Sequence, residues 1–187
     1  MSTSSRERIL TAATRIAQAR GYGGLNLRDL AKAVGVKAAS LYHHFPNKAD
    51  LAAAVARRYW EDSTAVLEAL STEFPDPVER LSHYPRTFRK SLEADNRICL
   101  CSFMAAEYDD LPEAATEEIR RFTDVNVAWL RGVLIEAGVV ATGAAEARAR
   151  AIVAAISGAQ LMARGRSDIT LFDEAIENYR AAGLLPA

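Results

Sequence analysis

Two cysteines in 187 residues cannot build a disulfide framework. Cys99 and Cys101 stand two apart, so on a helix they face nearly opposite ways and a bridge between them is not expected. Histidine is also scarce. His43 and His44 lie side by side in the N-terminal segment and His83 stands alone, with no Ser, His and acid set around it. Neither cysteine has a companion at zinc-ligand spacing. The inventory argues against an enzyme and gives no reason to expect a metal or cofactor. Long hydrophobic runs are missing as well: none approaches the roughly 20 residues that cross a bilayer, and the first residues, MSTSSRER, lack the apolar core of a secretory signal. A soluble, cytoplasmic protein is expected. Segments alternating with the period of two of a half-buried strand are absent too, which leaves an all-α fold.

What is present is apolar residue at helical spacing almost throughout, in a chain half apolar and one quarter charged, the usage of a globular protein. Charge is unevenly placed. The first 50 residues hold eight Lys or Arg against three Asp or Glu, and the remainder holds 15 against 21, so a basic head precedes an acidic body. The boundaries follow as 1–50 for the head and 51–187 for the body.

About nine helices are predicted from periodicity, caps and breakers. The first runs from Arg6 to Arg20, with Ile9, Ala13, Ile16 and Ala17 as its stripe, and stops at the glycines 21, 23 and 24. Asn26 caps a short second helix, Leu27 to Ala33, which Gly35 ends. A third, Ala38 to His44, is closed by Pro46. Asn47 caps a fourth that continues past Trp60 to about Leu70. Pro77 starts a fifth reaching Glu93, with a bend expected at Pro85, and a sixth spans Ile98 to Tyr108. Pro112 opens a seventh ending near Ala137, residues 143–164 form an eighth, and after the potential caps Ser167 and Asp168 a ninth reaches about Ala182.

Two short helices joined by a tight glycine turn, the second ending in aromatic and basic residues, suit a recognition helix in the major groove, although the spacing alone also admits a core αα-hairpin. The string NLRDLAKAVGVKAASLYHHFPNKADL from Asn26 closely resembles the N-terminal signature of the TetR family of bacterial regulators. Leu30-Ala31, Gly35-Val36, Leu41-Tyr42, His44-Phe45, Lys48 and Leu51 carry the match, which extends back to Ile9, Ala12 and Ala13 and covers the first third of the chain. The resemblance implies a three-helix DNA-binding head, a helical ligand-binding and dimerisation body, a homodimer, double-stranded operator DNA and a small-molecule effector as partners. A repressor released by its ligand is the implied function. Tyr42, His44 and Lys48 carry groups that reach phosphate oxygens, whereas Arg28, Lys37, Ala38, Ala39, Ser40 and His43 are placed to read bases. Lys37 departs from the family pattern, where Ser or Thr caps the recognition helix; it is free to touch DNA or to be solvated.

In the body, the stretch ARARAIVAAISGAQLMA allows close helix approach at Ala154, Ser157, Gly158 and Ala159, with Ile152, Ile156 and Leu161 as bulk. Burial within one chain would explain it. The resemblance favours a four-helix dimer seam, completed by Ile169, Phe172, Ile176 and Tyr179. Tyr59, Trp60, Tyr84, Phe88, Phe103, Met104, Tyr108, Phe122 and Trp129 are candidates to line a ligand cavity, or else plain core. Glu107, Asp109, Asp110, Asp124 and Asn126 would orient a polar ligand if they faced inward. Two alternatives stand beside the ligand-released repressor: a redox- or electrophile-responsive regulator acting through Cys99 or Cys101, and a helical enzyme using the C-terminal pocket.

Overall fold

The computed structural model describes residues 4–186, and among them there are nine α-helices, two short 3-10 turns and no strand. The helices are α1 (Ser5–Arg20), α2 (Leu27–Val34), α3 (Ala38–His44), α4 (Lys48–Glu73), α5 (Pro77–Glu93), α6 (Leu100–Ala105), α7 (Glu113–Glu136), α8 (Ala145–Arg166) and α9 (Thr170–Ala181). The all-α expectation and the helix order hold. The chain groups into two compact units, one running up to Glu61 together with Leu100–Phe122, the other containing Asp62–Cys99 and the chain from Thr123 onward. Segment 100–122 therefore folds with the N-terminal helices.

Local chemistry sets most helix ends. Ser4 Oγ accepts from the Glu7 amide at 3.2 Å, and Asn26 Oδ1 takes the amides of Arg28 and Asp29 at 2.9 and 3.1 Å. Gly35 closes α2 in the left-handed region at φ +71°, with the Val36 amide donating back to the Ala31 carbonyl at 3.0 Å. Asp168 Oδ1 accepts from the Thr170 amide at 2.9 Å ahead of α9, and Ser167, at φ +51°, ends α8 instead of starting α9.

Unit 1 buries Ile9, Leu10, Ala13 and Ala17 of α1 against Leu27, Leu30 and Ala31 of α2 and Leu41 of α3, with Phe45, Leu51 and Val55 beside them. The segment after α6 joins this core through a buried carboxylate. Glu118 Oε1 accepts from Arg57 Nε and Nη2 at 3.0 and 2.6 Å, and its Oε2 accepts from Trp60 Nε1 at 2.7 Å. Burial works against ionising Glu118, but the hydrogen bonds from Arg57 and Trp60, aided by the Arg57 charge, outweigh it and hold the carboxyl below the usual glutamate value.

Unit 2 packs α8 against α5 and α9. Gln160, buried on α8, accepts from the Cys99 amide at 2.8 Å and donates to the Phe88 carbonyl at 2.7 Å. Arg80 forks onto Glu136 at 2.8 and 2.6 Å, and Arg89 onto Asp173 at 2.7 and 2.9 Å.

Two sequence expectations are corrected here. The sixth helix is only Leu100–Ala105, because Ala106 and Glu107 donate to Phe103 and Met104 in 3-10 fashion and the chain leaves the α path. Half of the expected α9 seam set is spent inside the subunit: Phe172 and Ile176 are buried in unit 2, whereas Ile169 and Tyr179 stay half-buried, the Tyr179 hydroxyl donating to the Ala155 carbonyl at 3.2 Å. Ile152, Ile156 and Ala159 are likewise buried in unit 2, while Ala154, Gly158, Leu161, Met162 and Gly165 face outward.

Candidate nucleic-acid interface

α3 is seven residues long, too short to hold its shape in water alone, and its position is fixed by burying Leu41 completely and Phe45 just after it. Those anchors leave the opposite face outward. Lys37, Ala38, Ala39, Tyr42 and His43 are exposed, and Ser40 and His44 are half-buried. Lys37 stands at the cap position and makes no side-chain cap bond. Arg28, in the first turn of α2, is exposed as well. All nine residues singled out from the sequence thus lie in unit 1, on or beside α2, α3 and the start of α4.

At the head of α4, Asn47 Oδ1 accepts from the Asp50 amide at 2.9 Å, and the amides of Lys48 and Ala49 open the helix where its dipole favours an anion. Lys48 is half-buried because its ammonium rests 3.9 Å from the centre of the Tyr22 ring, a cation–π contact that orients the charge without neutralising it. Burial, with the nearby Asp110 carboxylate, raises the Tyr22 phenol above its ordinary value, so the ring stays neutral beneath the cation. Arg6 lies over the Phe45 ring at 5.6 Å, and Arg58 bonds Glu7 at 2.8 Å, tying α4 to α1.

No sequence signal points to the role of Glu107. Its carboxylate accepts from the amides of Tyr22 and Gly23 at 2.5 and 3.0 Å, closing the α1–α2 turn from a segment 84 positions further along the chain. The acid and the three glycines are each visible in the sequence, but nothing local pairs them.

The pocket candidates divide between the units. In unit 1, Met104 and Phe122 are buried, Tyr59 meets Phe122 with ring centres 5.6 Å apart, Phe103 is half-buried, and Trp60 is engaged by Glu118. Tyr108 is 57% exposed, bonded to Arg120, so it lines no enclosed cavity. In unit 2, Tyr84 and Phe88 are buried edge to face at 5.6 Å, Tyr84 stacks on Trp129, and the Tyr84 hydroxyl donates to Asn126 Oδ1 at 2.9 Å. Burial, then the Cys99 thiol, pushes the Tyr84 phenol well up, so it remains a donor. Asp109, Asp110 and Asp124 are exposed. Cys99 and Cys101 form no disulfide and are 1% and 2% exposed, inside the packing rather than presented to an oxidant. His83 stacks on Phe74 at 3.9 Å.

Comparisons with known proteins agree with this architecture. Residues 9–55 match the family model for bacterial regulatory proteins of the tetR family, and residues 77–178 match the C-terminal domain model of LmrA/YxaF-like transcriptional regulators. The chain is 25% identical to the transcriptional repressor DhaR of Mycobacterium sp. (strain GP1) over 135 residues, 72% of this chain and 67% of that one. It is 52% identical to the transcriptional regulator LmrA of Bacillus subtilis (strain 168) over 42 residues, 22% of each. A TetR transcriptional regulator from Legionella pneumophila superposes with a TM-score of 0.91 at 26% identity, covering 97% of this chain and 98% of that one. With both halves matched in order and the fold shared end to end, the chain belongs to the TetR family of helix-turn-helix transcriptional regulators.

Proposed function

We propose that this regulator is a homodimeric repressor that holds operator DNA with α2, α3 and the start of α4, and lets go when a small molecule enters its C-terminal body. The observation that carries the reading is the outward face of α3: Leu41 and Phe45 are spent on the core, while Lys37, Ala38, Ala39, Tyr42 and His43 are left exposed, with Ser40 and His44 half-buried beside them. Tyr42, His44 and Lys48 take phosphates; Arg28, Lys37, Ala38, Ala39, Ser40 and His43 face the bases. A dimer with its recognition helices about 34–36 Å apart would read a two-fold symmetric site in successive major grooves.

A second copy is supported by the outward stripe of α8. Ala154, Gly158, Leu161, Met162 and Gly165 recur at helical spacing, Leu161 is 62% exposed and Met162 57%, and the glycines let another helix approach closely. A broad open groove of about 850 Å³ follows the same stripe, edged by Arg166, Asp168 and Leu171. The effector is expected in the body, residues 51–187, which holds the Tyr84, Asn126 and Trp129 group. Helix α4 is continuous from Lys48 to Glu73. Among the described residues no helix is long and apolar enough to cross a membrane, which suits a regulator working on DNA in the cytoplasm.

The test is selection of a duplex from a random pool by the purified protein, followed by binding at rising salt. The expected log–log slope is steep; Lys48→Ala lowers it by about 0.9 for each phosphate that is no longer neutralised, whereas Tyr42→Ala removes an uncharged hydrogen bond and weakens binding with little change of slope. A protein that captures no duplex even at low salt refutes the reading.

A further inference from the structure

Two glycines flank Tyr22 at the end of α1, and both are shaped around one carboxylate. A Cβ on Gly21 would lie 2.0 Å from Glu107 Oε2, and one on Gly23 would lie 3.3 Å from Oε1. Gly21 also holds φ +65°, a conformation that side chains resist. With those Cβ atoms absent, Glu107 accepts from two successive amides, Tyr22 at 2.5 Å and Gly23 at 3.0 Å, a small anion nest filled by the protein's own side chain. Bonds from backbone amides to a charged carboxylate are among the stronger ones available to a turn.

The residue held by this hook matters. Tyr22 carries Lys48 on its ring at 3.9 Å, and Lys48 opens α4 at the proposed phosphate-contacting end. Glu107 itself belongs to no helix of the DNA-binding head. It lies two residues beyond Ala105, the last residue of α6, in the stretch that relaxes into 3-10 geometry. The turn that orients Lys48 is therefore locked from a segment distant in sequence.

We propose that Glu107 is a positioning residue for DNA binding: by clamping the amides of Tyr22 and Gly23 it keeps Tyr22 beneath Lys48 and the head in its DNA-holding arrangement. This rests on the reading of the head as a duplex grip. By linkage, duplex binding and the hook stabilise one another, so whatever withdraws Glu107 weakens DNA binding without touching a residue that meets DNA.

The experiment uses the full chain as wild type, Glu107→Ala, Glu107→Gln and Lys48→Ala, and the tightest duplex the wild type selects. In the wild type the amide protons of Tyr22 and Gly23 resonate downfield and exchange more slowly once duplex is added; in Glu107→Ala they move upfield. Glu107→Ala binds the duplex about tenfold more weakly, the scale of one charge-assisted hydrogen bond. Its loss combined with that of Lys48→Ala is less than the product of the two, because they act along one path. Glu107→Gln keeps one good acceptor and falls between; it carries the test if the alanine variant does not fold. A lowered melting temperature with wild-type affinity, or strictly independent losses with Lys48→Ala, overturns the proposal while leaving the DNA reading intact. A wild type that selects no duplex overturns both.

Discussion

Replacing Glu118 by Gln removes one charge from the interior of unit 1 and should cost about 2 kcal/mol of stability at neutral pH. The figure follows from the three bonds the carboxylate accepts, two from Arg57 and one from Trp60. A hydrogen bond to a charged group contributes about 1.5–3 kcal/mol. The Arg57 side chain is 57% exposed and regains water when released, so its share is discounted to a fraction of that. Glutamine keeps one oxygen for either Arg57 or Trp60, and turns an N–H₂ toward the other donor. For a chain of this size the loss is a fall of about 4–8 °C in Tm. The pH dependence identifies the cause. Glu118 is held below the ordinary glutamate value of 4.5, so its contribution is complete above that value and is lost as pH falls through the lowered folded value. Urea unfolding of both proteins from neutral pH to about pH 3 should show the stability gap closing in acid. A gap under about 0.5 kcal/mol at neutral pH, or one that persists undiminished in acid, refutes the reasoning.

Two further outcomes are expected. Gln160→Leu strips partners from the Cys99 amide and the Phe88 carbonyl inside unit 2, and since that carbonyl can still accept from its own helix, the cost is about 2–4 kcal/mol, read as a lower midpoint in urea with an unchanged slope. Leu161→Asp with Met162→Asp places two charges on the outward stripe of α8, and sedimentation at micromolar concentration should show monomers without loss of helical circular dichroism; a dimer that persists would remove this stripe from the seam.

Helix positions are legible in the sequence because they are governed locally. Asn26, Gly35, Pro46, Asn47 and Pro77 each act on backbone within a few residues, and the ends of α2, α3, α4 and α5 fall beside them. The outward placement of Arg28, Lys37, Tyr42 and His43 is legible for the same reason, since Leu41 and Phe45 dictate which side of a short helix turns in. Long-range pairing is not legible. The partners Glu107 and Gly23 lie 84 positions apart, and Arg57 and Glu118 lie 61 apart, with no periodicity to connect them. On α9, spacing identifies the apolar face correctly but is silent on what covers it. Ile169, Phe172, Ile176 and Tyr179 have the pattern of a seam, yet Phe172 and Ile176 complete the subunit's own core.

The division of labour on α3 bears on how the operator is read. A helix of seven residues without a side-chain cap forgoes about 1 kcal/mol that Ser or Thr at position 37 would supply. The fold tolerates this because Leu41 and Phe45, not local propensity, hold the helix in place. The outward positions are then released from any duty to folding, and on the proposed reading their chemistry answers to DNA. Lys37 puts a cation where a cap would stand, whereas Ala38 and Ala39 present only methyl groups, which suit thymine methyls and close approach rather than hydrogen-bonded reading. Discrimination should therefore concentrate at the base pairs nearest Lys37, Arg28 and His43, with groove shape deciding the positions beneath the alanines. A selected operator whose strictest positions lay beneath Ala38 and Ala39 would contradict that partition of roles.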